Sequence, residues 1–154
     1  MEWLVLAKEG NKVLVISKYA LDCQPYNTSF TSVTWETCSL RKWLNGTFIN
    51  NAFSAEEQAM IPTVTVSADK NPDYSTDPGN ATQDKVFLLS ITEANQYFTS
   101  DEARKCGTTE YAAGDKVLIQ IVAFQQVAKL PAGGGCGRPA VISIVPPVST
   151  LTAT

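Results

Sequence analysis

Near the end of the chain, Gly133-Gly134-Gly135-Cys136-Gly137-Arg138 holds the residue types from which phosphate cradles and reactive thiols are made. A glycine run lets backbone N–H groups close on a phosphate. That chemistry also needs a Lys-Ser/Thr pair and a helix start directly after the glycines. Neither follows here. A cysteine near an arginine ionises more readily, yet nothing in the sequence orients Cys136. The chain has no histidine, which excludes Ser-His-Asp and Cys-His catalysis and the zinc sites that mix Cys with His. Cys23, Cys38, Cys106 and Cys136 form no C-x-x-C pair, which argues against a zinc ribbon or a thioredoxin-type site. They read as plain buried thiols, with a disulfide left open.

The acids offer little more. Asp69, Asp73, Asp77 and Asp84 carry oxygens of the kind calcium accepts, but their spacing fits no EF-hand and they read as a solvated loop. Glu56, Glu57, Asp101 and Glu102 sit near helix starts, where carboxylates favour the helix dipole. Nothing pairs them as general acid and base. The expectation is therefore no catalytic residue, no cofactor and no metal. Asn27, Asn45 and Asn80 match glycosylation sequons, read here as chance. A net charge of −3 provides no basic footprint for nucleic acid. No apolar run approaches the roughly 20 residues of a membrane span. The N-terminus, MEWLVLAKEG, does not read as a signal peptide, and the localisation stays open.

The elements that must position these residues follow from periodicity. The 154 residues suit one domain. Trp3–Leu6 and Val13–Ile16 predict a β-hairpin around Glu9-Gly10-Asn11. Both runs are apolar on both faces, which predicts a central position in a sheet. Leu40, Trp43, Leu44 and Phe48 form one helical stripe, with Thr37 or Ser39 as cap and Gly46 weakening its second half. Ser54 and Glu57 predict a capping box for a short helix that Pro62 stops. The run TVTVS (63–67) predicts a strand, residues 68–84 a long polar loop, and KVFLLS (85–90) a buried strand. TEANQYF and SDEARKC predict short helices capped by Thr92 and Ser100. The fold class expected is α+β: a hairpin, two or more short helices and a small mixed sheet.

At about Gly114 the character changes. Residues 1–114 hold all three Trp, all five Tyr and 23 of the 27 charged residues. The remainder, 115–154, is apolar, unlike a linker. KVLIQIVAFQQVAKL has no clear period, although KVLIQIVAF has the β-propensity to add a strand. SIVPPVSTLTAT has no core pattern.

VTWETCSLRKWLNGTFINNAFSAEEQAMI, followed by DKVFLLSITEANQYFTSDEARKC, resembles a bacterial family described as domain of unknown function 6273. The resemblance covers roughly residues 2–113. Its most specific run is W-E-T-x-x-L-R-x-W-L-N, carried here by Trp35, Glu36, Leu40, Arg41, Trp43, Leu44 and Asn45, with Cys38 inside it. Lys85–Ser90 is a second. The resemblance implies a C-type-lectin-like fold, shared with formylglycine-generating enzymes and with variable proteins of diversity-generating retroelements. It implies a binding module for an unknown protein or glycan ligand, placed outside the cell or at its surface. A structural domain of a surface protein is the first alternative. A remnant of a formylglycine-generating-enzyme-like domain is the second, opposed by the lack of a late cysteine pair for copper. Within the motif, Trp43 belongs to the core stripe and Arg41 to a structural hydrogen bond or ion pair. Trp35 and Glu36 are read the same way.

After A-R-K-C the family continues as G-A-Y-T, then C-W-W-W-L-R-S-P-G, then A-A-x-V-D-x-x-G, and closes on R-P-A-L. The sequence departs from this where its composition breaks. Read one base out of step, the codon doublets of Gly133–Ala140 allow W-W-W-L-R-S-P-G in order. Those of Val145–Ala153 allow R-A-A-S-V-D-T-D-G. The expectation is a lectin-like N-terminal part over 1–114 and an aberrant, frame-shifted tail over 115–154. Such a domain would be incomplete, with unpaired strand edges and a tendency to aggregate.

Overall fold

The computed structural model describes residues 1–22 and 24–113, together with the backbone of Ser143–Ile144. The expectations for Cys23, the 133–138 glycine segment, Cys136 and KVLIQIVAF lie outside these residues. The fold is α+β, with short helices around small sheets.

Gly10 turns the chain at φ +58°, a conformation glycine adopts freely. This turn joins β1 (Trp3–Glu9) to β2 (Lys12–Ser17), as the apolar runs predict. The two strands pair antiparallel from Trp3↔Ser17 to Glu9↔Lys12. A bulge between Val5 and Ala7 shifts the register and lets Leu6 join Ile16 and Leu89 in a small cluster.

The sheet order is β1-β2-β6-β5, with β5 at Val86–Phe87 and β6 at Ser143–Ile144. Only β2 of the hairpin is central. β1 forms the sheet's edge, and Leu4 and Val5 are exposed, so the expectation that both strands are central is corrected. β2 is apolar on both faces because layers cover both. Val13 and Val15 pack into the main core, while Leu14 and Ile16 pack with Tyr97 and Phe98.

The main core rests on the helical segment after residue 38. It runs as α1 (Ser39–Trp43), a π-helical turn (Leu44–Phe48) and α2 (Ile49–Ala52). In the wide turn the Ile49 N–H reaches back to the Leu44 carbonyl. Leu40, Leu44, Phe48 and Ile49 are all buried against β2 and Val86. Leu44 is fully buried, which stabilises the fold by about 1.5–3 kcal/mol. The cap is neither Thr37 nor Ser39. Cys38 takes the position, its sulfur accepting from the Arg41 N–H at 3.4 Å. Ser39 is drawn off to the loop before it, accepting from the Thr28 N–H.

α3 (Ala55–Met60) opens on the predicted capping box of Ser54 and Glu57. β3 (Val64–Val66) pairs antiparallel with β4 (Thr82–Asp84), a strand that the sequence reading placed inside the polar loop. α4 (Ile91–Tyr97) begins one residue earlier than Thr92 would cap. Ser90 is its cap, in a second capping box with Glu93. A 3-10 turn (Glu102–Arg104) follows, with Ser100 accepting from the Ala103 N–H, and then α5 (Glu110–Ala113). All described ladders are antiparallel. The mixed character expected of the sheet is present only in one isolated parallel bridge, Ala20↔Thr108. No helix among the described residues is long and apolar enough to cross a membrane.

Candidate functional site

Two residues of the W-E-T-x-x-L-R-x-W-L-N run, Trp35 and Arg41, converge on one carboxylate, Asp84, which lies 43 positions beyond Arg41 in sequence. Asp84 is 1% exposed at the end of β4. A buried carboxylate is costly unless its oxygens are engaged, and here they are. Arg41 Nε donates to Oδ1 at 2.8 Å and to Oδ2 at 3.0 Å. Trp35 Nε1 donates to Oδ2 at 3.0 Å, and the Thr82 hydroxyl donates to the same oxygen. The other guanidinium nitrogens of Arg41 donate to the Glu36 and Gln83 carbonyls. One helix end, one loop and one strand are thereby fastened at a single point.

Asn45 makes the second half of this clamp. Its Oδ1 accepts from the Lys85 N–H at 2.9 Å and the Val86 N–H at 3.1 Å. Its Nδ2 donates to the Val86 carbonyl at 2.8 Å and to the Arg41 carbonyl at 3.2 Å. The side-chain amide thus does for β5 what a neighbouring strand would do. An amide so engaged is a poor glycan acceptor. The remaining motif residues pack. Leu40 and Leu44 are buried, Trp43 lies against Phe48 at 5.3 Å between ring centroids, and Trp35 packs on both the main core and the Val66–Phe87 cluster.

The clamp reaches outward to the long loop before β4. Asn80 Nδ2 donates to the Glu36 carboxylate at 3.0 Å. Gly79, at φ +78°, lies so close to Thr34 that a Cβ there would come within 2.7 Å of its hydroxyl. Only glycine fits this approach. The loop is therefore tethered at one end to residues 34–36. Its residues 70–78 curl round a shallow, open concavity.

Asp69, Asp73, Asp77 and Asp84, read from the sequence as a solvated loop, do not share one role. Asp84 belongs to the clamp, Asp69 accepts from the Ser90 hydroxyl, and Asp77 accepts from the Gly79 N–H. Among the described residues, no three His, Cys, Asp or Glu side chains are grouped to hold a metal ion. Glu57 is spent on its capping box. Asp101 pairs with Arg104, and Glu102 with Lys105.

Cys38 and Cys106 are free thiols, the first buried and the second half-buried. Burial pushes both thiols above their ordinary pKa, the reverse of what a nucleophile needs. Tyr26, beside Cys38, is pushed up for the same reason, with the neighbouring sulfur adding to the effect.

Sequence reasoning missed Asp84 as the centre of this arrangement. The available signal was Arg41 itself, read as half of a structural hydrogen bond or ion pair, with no acid three or four residues away on its own helix. No curated protein and no solved structure matches the chain. A family model, that of a domain of unknown function (DUF6273), matches residues 10–127. This span includes the whole clamp and both strands it fastens, so the chain belongs to the DUF6273 family.

Proposed function

We propose that this domain is a non-catalytic binding module of lectin-like type, taking a protein or glycan ligand on loops that the clamp holds in place. The observation that carries this reading is the contrast between the clamp and its attached loops. The polar side chains of the motif are spent on Asp84, Asn80 and nearby backbone groups, whereas the loops tied to it present aromatic side chains to solvent. Phe30, 66% exposed, precedes the Thr34–Glu36 anchor, and Tyr74, 46% exposed, lies in the loop anchored by Gly79 and Asn80. Exposed aromatics on loops fixed by a rigid scaffold are typical of recognition surfaces.

Glycan and protein arrays test the reading. Binding that falls at least tenfold in Phe30→Ala or Tyr74→Ala, about 1.4 kcal/mol or more, supports it. Binding that survives both substitutions overturns the assignment to these loops. A structural role in a surface protein is favoured by the self-contained clamp, and would be indicated if no ligand is retained.

The same reading includes an incomplete domain, in which residues from about Asp115 are an out-of-frame version of the family's C-terminal half. The gene decides this part. A coding sequence that fails to give W-W-W-L-R-S-P-G one base out of step refutes it.

A further inference from the structure

β2 and β5 do not pair with each other. Each pairs with β6, through Val15↔Ile144↔Val86 and Ile16↔Ser143↔Phe87. We infer that the space between β2 and β5 is a strand-acceptor site, filled in cis by the segment around Ser143–Ile144 and able to take an extended, β-branched peptide in trans.

The width of the site follows from sheet geometry. Neighbouring strands lie about 4.7–4.9 Å apart. Two strands joined through a third are therefore separated by about twice that distance, enough for one extended chain and too little for a helix. Its walls are the core itself, since Val15, Ile16, Val86 and Phe87 are all buried. Vacating the site would leave backbone donors and acceptors on two buried strands without partners, a state that folded proteins avoid. The site thus requires an occupant. Both ladders are antiparallel, so β2 and β5 run parallel to each other and fix the direction of whatever lies between them.

The chain supplies a suitable occupant. Val141-Ile142-Ser143-Ile144-Val145 is rich in β-branched residues, which favour strands. Pro139 on one side and Pro146-Pro147 on the other lack N–H groups and confine a ladder to the run between them. Among the described residues the pairing covers Ser143 and Ile144. The 29 residues 114–142 separate it from α5. The cis strand belongs to the same chain, so its pairing is intramolecular and a free peptide must compete with it. The ligand class is therefore an unstructured peptide rich in β-branched residues, recognised chiefly through its backbone.

Three measurements on the 154-residue chain test this. Hydrogen exchange should show the Ser143 and Ile144 amides protected in the wild type. Ser143→Pro, which removes a ladder donor, should reduce protection at Val15, Ile16 and Phe87 but not at Val86, whose N–H is held by Asn45, and Thr150→Pro should change none of them. A fluorescent peptide AVISIVP should bind Ser143→Pro at least tenfold more tightly than wild type, and the same peptide with proline in place of serine should bind neither.

Ser143 and Ile144 amides that exchange as fast as an unfolded chain overturn the inference, and this measurement stands even if Ser143→Pro fails to fold. Equal binding of the peptide to both proteins, or to neither, overturns the trans site.

Discussion

Two ion pairs in this chain share a chemistry and differ in everything around it. Arg41–Asp84 joins a carboxylate side chain that is 1% exposed to an arginine side chain that is 23% exposed. Lys18–Glu2 joins side chains that are 46% and 62% exposed. The first holds three elements together through several further hydrogen bonds, and the second spans two sites on the surface. The lesson is that an ion pair's worth is set by what would be left buried and unpaired on removing one side, not by the attraction itself.

The largest expected effect separates these cases directly. Asp84→Ala strands the Arg41 guanidinium and the Trp35 indole N–H, and should lower stability by about 3–5 kcal/mol in urea denaturation. A wild-type midpoint would break the comparison. Next comes Asn45→Ala, which orphans the Lys85 and Val86 N–H groups and the Val86 carbonyl. It should cost about 1–3 kcal/mol, read in the same way, with the loss of amide protection centred on Val86.

A smaller effect appears in pH. Burial raises the Cys38 pKa in the folded state, so the folded protein keeps the proton where the unfolded chain loses it. That contribution is fully present below the ordinary thiol pKa of about 8.5 and is lost as pH rises through the folded value. Stability should therefore decline above about pH 8.5, by at most about 1.4 kcal/mol per pH unit for this group. Cys38→Ser should flatten the decline between pH 8.5 and 10. An equal slope in both proteins assigns it elsewhere. The smallest effect sharpens the other half of the comparison. Lys18→Ala should leave the melting temperature unchanged in low and in high salt, because the pair it breaks is exposed. A clear destabilisation in low salt would contradict this.

What was legible in the sequence was local. The hairpin turn at Gly10, the Ser54–Glu57 box and the apolar stripe of Leu40, Leu44 and Phe48 each lie within a few residues and carry their own signal. The larger misread parts needed partners distant in sequence. β4 looked like loop because its two buried residues are polar, Thr82 and Asp84, and their burial makes sense only once Arg41 and Trp35 arrive. β1 looked central because apolar composition does not tell an edge strand from an inner one. The caps at Cys38 and Ser90 were missed in favour of better-known or nearer residues.

The tail held an overlooked sign. Arg138-Pro139-Ala140-Val141 matches three residues of the R-P-A-L on which the family resemblance closes, in frame and just ahead of β6. The in-frame strand and the out-of-frame origin proposed for residues from about Asp115 therefore make competing demands on one segment, and the gene can separate them.

The wide turn at Leu44–Phe48 has a consequence for the spacing of the chain. An i→i+5 turn absorbs one more residue than an α-helical turn, equivalent to about 100° of helical rotation. This segment therefore acts as a phase adjuster between two faces that must meet the same core. Its length is as binding a specification as its composition. Many substitutions can be absorbed by repacking, and a one-residue deletion near Gly46 would only return the wide turn to α-helical winding, but a one-residue insertion would rotate Phe48 and Ile49 away from the core that Leu40 and Leu44 face.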